Sequence, residues 1–385
     1  MIVISCSLDS SLERAKHQGT LQSDKARYQL FESFGSVVLL TQDIKAFGSE
    51  LGKIAHIPCA FSKYTIVRTY LSKHKFPRWV YFYFSSFHWL LRNRRKINVV
   101  ITENVNSPTP FLFSSLFKIP VYVHYHYDVA TQVATINKNR FEGVMLLFLE
   151  KLFFRKATCV WVTASSLAGK AKRFGAKRVT LLPNWYDFDE NLAKQFSERL
   201  EPGHKIVFVG RLHPVKRVDL LLKAFAKLRK LYPDASLNIV GDGVERQKLM
   251  TLANDLELGQ SVHFLGFQNH EKVLELLRQA DLMVLSSKME GNPKVLIEAM
   301  MLKVPIVATN VPGIRDMIQN GKTGHLVDSD LPEDLTQAMS DVLSKRKYGR
   351  RIAENAYEFA KNHFSKQQAL KRVREDFLIG IAQQV

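Results

Sequence analysis

The feature that most restricts the fold is a rhythm: short runs of aliphatic and β-branched residues, each followed by a longer amphipathic stretch, in two successive series along the chain. Runs such as Ile206-Val207-Phe208-Val209 are apolar without alternation. That suits strands covered on both faces, and such strands belong to parallel sheets joined by helices. The first series predicts strands at 2–6, 36–41, 99–102, 121–125, 160–163 and 179–182. The second predicts them at 205–209, 236–240, 263–265, 282–285, 306–308 and 325–327. A chain of 385 residues exceeds a single core. The two series divide it into a first domain over 1–190, a linker over 191–204 holding Glu201-Pro202-Gly203, a second domain over 205–364, and a helix over 365–385 expected to cross back to the first domain. The expected fold class is α/β, with two Rossmann-like doubly wound domains.

Cys6, Cys59 and Cys159 are odd in number, far apart and without metal-ligand spacing, so neither a disulfide framework nor a zinc site is expected, and a reducing cytosol fits. The first residues carry no basic leader, and the most apolar stretch, Trp79 to Leu91, falls short of the roughly 20 residues of a membrane span. The formal charge of +19 points to polyanionic partners. It is concentrated: from Leu51 to Thr102 there are basic residues, among them Lys53, Lys63, Arg68, Lys73, Lys75 and Arg78, but no Asp or Glu. Within that stretch Trp79, Tyr81, Phe82, Tyr83, Phe84, Phe87 and Trp89 precede Arg92, Arg94, Arg95 and Lys96. Aromatics followed by cations suit an anionic membrane surface, so a peripheral position on the cytoplasmic membrane face is expected. The alternative is an ordinary sheet-covering helix with its aromatics in the core.

Two motifs carry chemistry. Gly210-Arg211-Leu212-His213-Pro214-Val215-Lys216 follows a buried strand directly, and open α/β sheets bind ligands outside the carboxyl ends of their strands. Two cations there suit a diphosphate; a solvated charged loop is the plainer reading. Glu290-Gly291-Asn292-Pro293-Lys294-Val295-Leu296-Ile297-Glu298 contains a good N-cap followed by proline, so a helix is expected to begin at Asn292-Pro293 with its amino end open to phosphate. Glu290 then lies in the loop and Glu298 in the second turn. Carboxylates only accept hydrogen bonds, so the pair suits sugar and ribose hydroxyls. His124, His126 and Asp128 alternate along a strand; a metal site and a packed histidine are both open readings. Asp187-Phe188-Asp189 and Asp328-Ser329-Asp330 have the spacing of a carboxylate metal motif but lack its context.

In their order and spacing, Gly210-Arg211 with Lys216, Ile239-Val240-Gly241-Asp242-Gly243, Phe264-Leu265-Gly266-Phe267, Ala280-Asp281, Glu290 through Ala299, and Gly313 resemble the nucleotide-binding domain of glycosyltransferase family 4, the retaining GT-B group 1. Ile119 through His126 is similar to that family's strand ending in an active-site histidine, and Pro183-Asn184-Trp185-Tyr186-Asp187 to its segment before the linker. The resemblance implies two domains facing a central cleft, a nucleotide-diphosphate sugar as donor, and neither metal nor other cofactor. It places catalytic roles on His126, Glu290, Arg211 and Lys216. Donor contacts fall on Gly210, Gly266, Phe267, Gly291, Asn292, Pro293, Lys294, Val295 and Glu298. The chain departs from the family where only Gly19 stands for a glycine pair, where Pro312 precedes Gly313, where Asp316 replaces glutamate, and where Arg217 follows the lysine in place of glycine.

The expected function is therefore retaining transfer of a hexose-type sugar, mannose, glucose or N-acetylglucosamine, to a glycan acceptor, with a lipid-linked acceptor favoured by the basic aromatic stretch. The alternative is a GT-B sugar-nucleotide-binding protein or epimerase without transferase activity. No nucleic-acid partner is expected, because nucleic acid would account for the charge but not for the ordered motifs.

Overall fold

The computed structural model describes residues 2–5, 30–31, 33–34, 37–41, 57–58, 65–68, 78–103, 108–126, 128, 130–131, 140–187 and 203–382. Gly19 and its neighbours, Cys6, Cys59, Lys53, Lys63, Lys73, Lys75, Asp189 and the linker as far as Pro202 lie outside these residues, as do the side chains of Arg68 and of 78–82. The chain divides into two compact units, Met1–Pro183 with Ala369–Val385, and Asn184–Gln368.

Among the described residues the first unit holds eight strands: β1 (Ile2–Ser5), β2 (Val37–Thr41), β3 (Ile57–Pro58), β4 (Thr65–Arg68), β5 (Val99–Glu103), β6 (Val121–Tyr125), β7 (Cys159–Val162) and β8 (Val179–Leu181), in the order β3-β4-β2-β1-β5-β6-β7-β8. All neighbours are parallel except β3 and β4. The six predicted strands form within one residue of their expected ends. β3 and β4 were not predicted: β3 is two residues ending in proline at a sheet edge, and β4 holds only the two apolar residues Ile66 and Val67. Helices α1 (Arg78–Asn93), α2 (Thr109–Phe117), α3 (Arg140–Lys156) and α4 (Ser165–Arg173) complete the βα alternation. Phe111 of α2 stacks on Phe153 of α3 with centroids 4.1 Å apart. On α1, Leu90 is buried and Phe87 and Trp89 pack against the core, while Phe84 is 73% exposed. The helix thus divides its aromatics between core and solvent.

The second unit holds β9 (Lys205–Val209), β10 (Ser236–Val240), β11 (Val262–Gly266), β12 (Leu282–Leu285), β13 (Ile306–Thr309) and β14 (His325–Val327) in the order β11-β10-β9-β12-β13-β14, all parallel. This is a doubly wound sheet whose winding reverses between β9 and β12, the place where such sheets leave a crevice at their carboxyl ends. Every strand falls within one residue of its prediction, and β12 and β13, buried throughout, carry the unbroken apolar signature of strands covered on both faces, whereas β10 and β11 are buried only in part. Between and after the strands lie α5 (Val218–Leu231), α6 (Arg246–Asp255), α7 (His270–Gln279), α8 (Lys294–Met301), α9 (Pro312–Arg315), α10 (Pro332–Ser344) and α11 (Arg346–His363).

The last helix, α12 (Lys366–Ala382), starts in the second unit and from Ala369 onward belongs to the first. Its Asp376 is buried and accepts from Trp161 Nε1 at 2.7 Å, Arg178 Nε at 2.6 Å and Thr180 Oγ1 at 3.1 Å, so one carboxylate ties the helix to β7, to β8 and to the turn before it. The boundary between units differs from the expected one at residue 190. It falls at Pro183, because Asn184 bonds to Asn292 and the Tyr186 N–H donates to the Phe364 carbonyl at 2.8 Å.

Candidate functional site

The reversal of winding brings two loops side by side. One follows β9 and carries Gly210, Arg211 and Lys216; the other follows β12 and carries Ser286 to Pro293. They are laced together: Ser286 Oγ donates to the Lys216 carbonyl at 2.9 Å, and the Lys288 N–H donates to the Val215 carbonyl at 2.8 Å. Lys216 Nζ reaches Glu290 Oε1 at 2.6 Å, and Ser287 Oγ donates to the same oxygen, also at 2.6 Å. Glu290 is nearly buried and the lysine partly so. A carboxylate in that position holds the ammonium of Lys216 at the mouth of the β9–β12 crevice. Arg211 is exposed and, among the described residues, makes no side-chain hydrogen bond or ion pair, so its guanidinium remains available.

Close backbone approach explains two glycines. A Cβ on Gly241, whose φ is +130°, would stand 2.0 Å from the Gly210 carbonyl oxygen, so the turns after β9 and β10 touch backbone to backbone. A Cβ on Gly313 would stand 2.1 Å from the Gly291 oxygen and 2.3 Å from that of Glu290. The short helix α9, with Pro312 in its first turn, therefore presses on the Glu290–Gly291 loop through a side-chain-free surface. Arg217 adopts the left-handed region, φ 48°, where glycine is favoured, and its guanidinium pairs with Asp330. Gly266 ends β11 with φ 66°, and Phe267 beside it is half exposed.

The helix start differs from expectation. α8 begins at Lys294, with Pro293 in the cap position at ψ 118° and no side-chain cap. Asn292 does not cap it, because the side chain is occupied elsewhere: its Oδ1 accepts from the Asn184 N–H at 2.8 Å, while Asn184 Nδ2 donates to the Asn292 carbonyl at 2.5 Å. Lys294 and Val295 open the helix, and Glu298 sits in its second turn, 8% exposed. Burial pushes the Glu298 carboxyl up to about 7, against the opposing charge of Lys294. Near it lie two residues whose part sequence reasoning missed. His270 Nδ1 is 3.7 Å from Glu298 Oε1, and His270 Nε2 is 2.9 Å from Tyr186 Oη. Asn269 before His270 is legible only as a helix cap, accepting from the Lys272 N–H at 2.8 Å, and nothing in the spacing points that ring at Glu298.

In the first unit His126 follows β6, its ring centroid 3.9 Å from that of buried His124, and Thr163 Oγ1 donates to its carbonyl at 2.9 Å. Asp128 does not join the two histidines in a metal set. It pairs with Lys170 at 2.5 Å and accepts from the Thr131 N–H and hydroxyl at 2.9 and 2.8 Å. Lys170 also pairs with fully buried Glu150 at 2.5 Å. In the two aspartate triplets Asp187 pairs with Lys366 and Asp328 accepts from Asn310, while Asp189 lies outside the described residues. Among the described residues no three His, Cys, Asp or Glu gather as a metal ion would require.

Comparison with known proteins agrees with this geometry. The chain is 27% identical over 289 residues to the alpha-D-kanosaminyltransferase of Streptomyces kanamyceticus, covering 70% of this chain and 75% of that protein. It is 37% identical over 157 residues to the N-acetyl-alpha-D-glucosaminyl L-malate synthase of Bacillus anthracis, a match that spans 40% of either protein. The fold matches sucrose-phosphate synthase from Thermosynechococcus elongatus with a TM-score of 0.76 at 19% identity over the whole of both chains. It matches Anabaena HepE, solved in complex with UDP and glucose, with a TM-score of 0.73 at 15% identity, covering 97% of this chain and 98% of that one. Residues 37–185 match the glycosyl transferase 4-like domain and residues 189–359 the family described as Glycosyl transferases group 1. Two adjoining matches that between them take in most of the chain, on a sheet wound as described, make it a member of the group 1 glycosyl transferases.

Proposed function

We propose that the chain transfers a hexose-type sugar from a nucleoside diphosphate donor to a glycan acceptor with retention of anomeric configuration. The observation that carries this reading is the Lys216–Glu290 pair at the point where the second sheet reverses. In transfer, the bond from the anomeric carbon to the β-phosphate oxygen breaks and a bond to the acceptor oxygen forms. The departing phosphate gains negative charge and takes the acceptor's proton. Arg211, Lys216 and the dipole at the amino end of α8 are preorganised for that charge, which is where an enzyme gains most. In this reading they do so without metal. Glu290 meets the sugar, Glu298 the ribose, and Gly266 and Phe267 lie by the base.

The acceptor is proposed to be lipid-linked, met at an anionic cytoplasmic membrane face. Support comes from α3 as well as α1: Val144, Met145, Phe148 and Leu152 recur along one face of α3 and are exposed, beside exposed Lys151 and Arg155. An apolar stripe flanked by cations fits the headgroup boundary of anionic lipid. Among the described residues no helix is long and apolar enough to cross a membrane.

Thermal-shift screening against UDP-, GDP- and ADP-sugars identifies the donor, since a ligand of the folded state raises its stability. Transfer with that donor is then followed with and without EDTA, and the product anomer is read by NMR. An inverted product, or loss in EDTA restored by manganese, would overturn the retaining, metal-independent mechanism. Sedimentation with vesicles tests the acceptor side: the protein should pellet with anionic vesicles at low salt and release as salt rises.

A further inference from the structure

Three groups distant in the chain meet behind the amino end of α8. Tyr186 Oη lies 2.9 Å from His270 Nε2, and His270 Nδ1 lies 3.7 Å from Glu298 Oε1. Two residues before Tyr186, Asn184 grips Asn292 through its own N–H and its amide. One short segment therefore holds the donor motif at both ends, directly at Asn292 and through His270 at Glu298.

We propose that His270, held by Tyr186, is a positioning residue that fixes the Glu298 carboxylate for the hydroxyl pair of a ribose, making Tyr186, His270 and Glu298 one element selecting ribonucleotide donors over deoxyribonucleotide ones. This rests on the reading above that Glu298 meets the ribose.

The protonation states support the assignment. A neutral imidazole carries one N–H, so its two neighbours decide which nitrogen bears it. Burial lowers the His270 pKa, as does the charge of Lys294, against the opposing pull of Glu271, so the ring is neutral near pH 7. Tyr186 keeps its phenolic proton, its pKa pushed up to about 12 by burial and by the negative charges of Glu298 and Asp187. When the phenol donates to Nε2, the imidazole proton sits on Nδ1, facing Glu298. At 3.7 Å that contact is longer than a hydrogen bond, and it leaves the carboxyl oxygens free to meet a diol. Lys294, on the same helix, supplies a charge that favours the ionised form of Glu298.

The test compares binding of UDP, GDP and ADP by calorimetry, then takes the tightest and its 2′-deoxy counterpart through wild type, Glu298→Gln, His270→Leu, His270→Asn and Tyr186→Phe. Wild type should prefer the ribonucleotide. His270→Leu should shrink that preference at least about fivefold, because a site built around a hydroxyl discriminates through it. His270→Asn, whose amide places a donor near the Nδ1 position, should restore most of it, and Tyr186→Phe should fall between. If His270→Leu fails to fold, the Tyr186→Phe and His270→Asn pair carries the same comparison. Should Glu298→Gln leave the preference unchanged, or should none of the three nucleotides bind, the ribose reading of Glu298 falls and this inference with it. Should Glu298→Gln abolish the preference while His270→Leu and Tyr186→Phe retain it, the ribose reading stands and the role of His270 is wrong.

Discussion

Lys216 and Glu290, 74 residues apart in sequence, share an ion pair of 2.6 Å across the two loops that flank the reversal of the second sheet. Removing either residue therefore also releases the other. Lys216→Ala and Glu290→Ala should each lower kcat/KM by more than roughly tenfold, since each disturbs charge at the developing phosphate. The double variant should lose less than the two single losses combined, with a coupling of about 0.5–3 kcal/mol. Strictly additive losses in the four-member cycle would mean that the pair is incidental.

Glu298 predicts an opposition between stability and binding. Its carboxyl titrates near 7 in the folded chain against an ordinary value of 4.5, so between those pH values the folded state holds a proton that the unfolded state has released. Stability contributed by this site is therefore lost as pH rises from about 4.5 to about 7, and stays lost above it. Glu298→Gln removes the buried charge. It should match wild type in urea unfolding near pH 4.5 and exceed it at pH 8 by on the order of 2–3 kcal/mol, while binding nucleotide more weakly. Equal stability at both pH values would show that the carboxylate is solvated or compensated when ionised.

Gly313→Ala asks whether backbone contact alone shapes the site. The new methyl would meet the carbonyls of Glu290 and Gly291 within 2.3 Å, and two peptide oxygens cannot yield as a flexible side chain would. The loop must move, carrying Glu290 away from Lys216. We expect donor affinity to fall at least about tenfold for a loss of roughly 1–2 kcal/mol in stability, the range of a modest overpacking change. Calorimetry beside a thermal melt separates the two, and unchanged affinity would remove the loop from the donor site.

Much of this was legible from residue order alone. The strands of the second sheet were, most plainly β12 and β13, where burial on both faces writes an uninterrupted apolar run, and the doubly wound order then sets Gly210 and Glu290 on neighbouring loops. The cap of α8 was not. Asn292 followed by Pro293 has the composition of a helix start, yet Asn184, 108 residues earlier, takes the asparagine side chain and moves the start to Lys294. His270 was hidden for a similar reason: a local rule explains its place at the head of α7, and only the folded sheet reveals that it faces Glu298. Local signals record what a residue does for its own helix, whereas these long-range bonds leave no periodicity to detect.

Asp376 offers a test of the first unit. Its carboxylate satisfies the indole N–H of Trp161 and the guanidinium of Arg178, and Asp376→Ala would leave the indole N–H buried without a partner. We expect a loss of about 1–3 kcal/mol, the cost of leaving that buried donor unsatisfied, since the Arg178 side chain is 40% exposed and regains water. It should appear in the unfolding of the first unit, followed by Trp161 fluorescence in a background with Trp79, Trp89 and Trp185 replaced by Phe. Nucleotide binding by the second unit should persist above that transition. Loss of donor binding at the same temperature as the Trp161 change would mean that the two units do not unfold separately.

The path of α12 also has a consequence in time. A ribosome delivers residues in order, so the strands of the first unit are made early, while the helix that carries Asp376 emerges only after the entire second unit. Until then Trp161, Arg178 and Thr180 wait for their shared acceptor. The unit first to be synthesised is thus the last to be completed, and a chain halted just before Ala369 would hold a complete second unit and an unfinished first one.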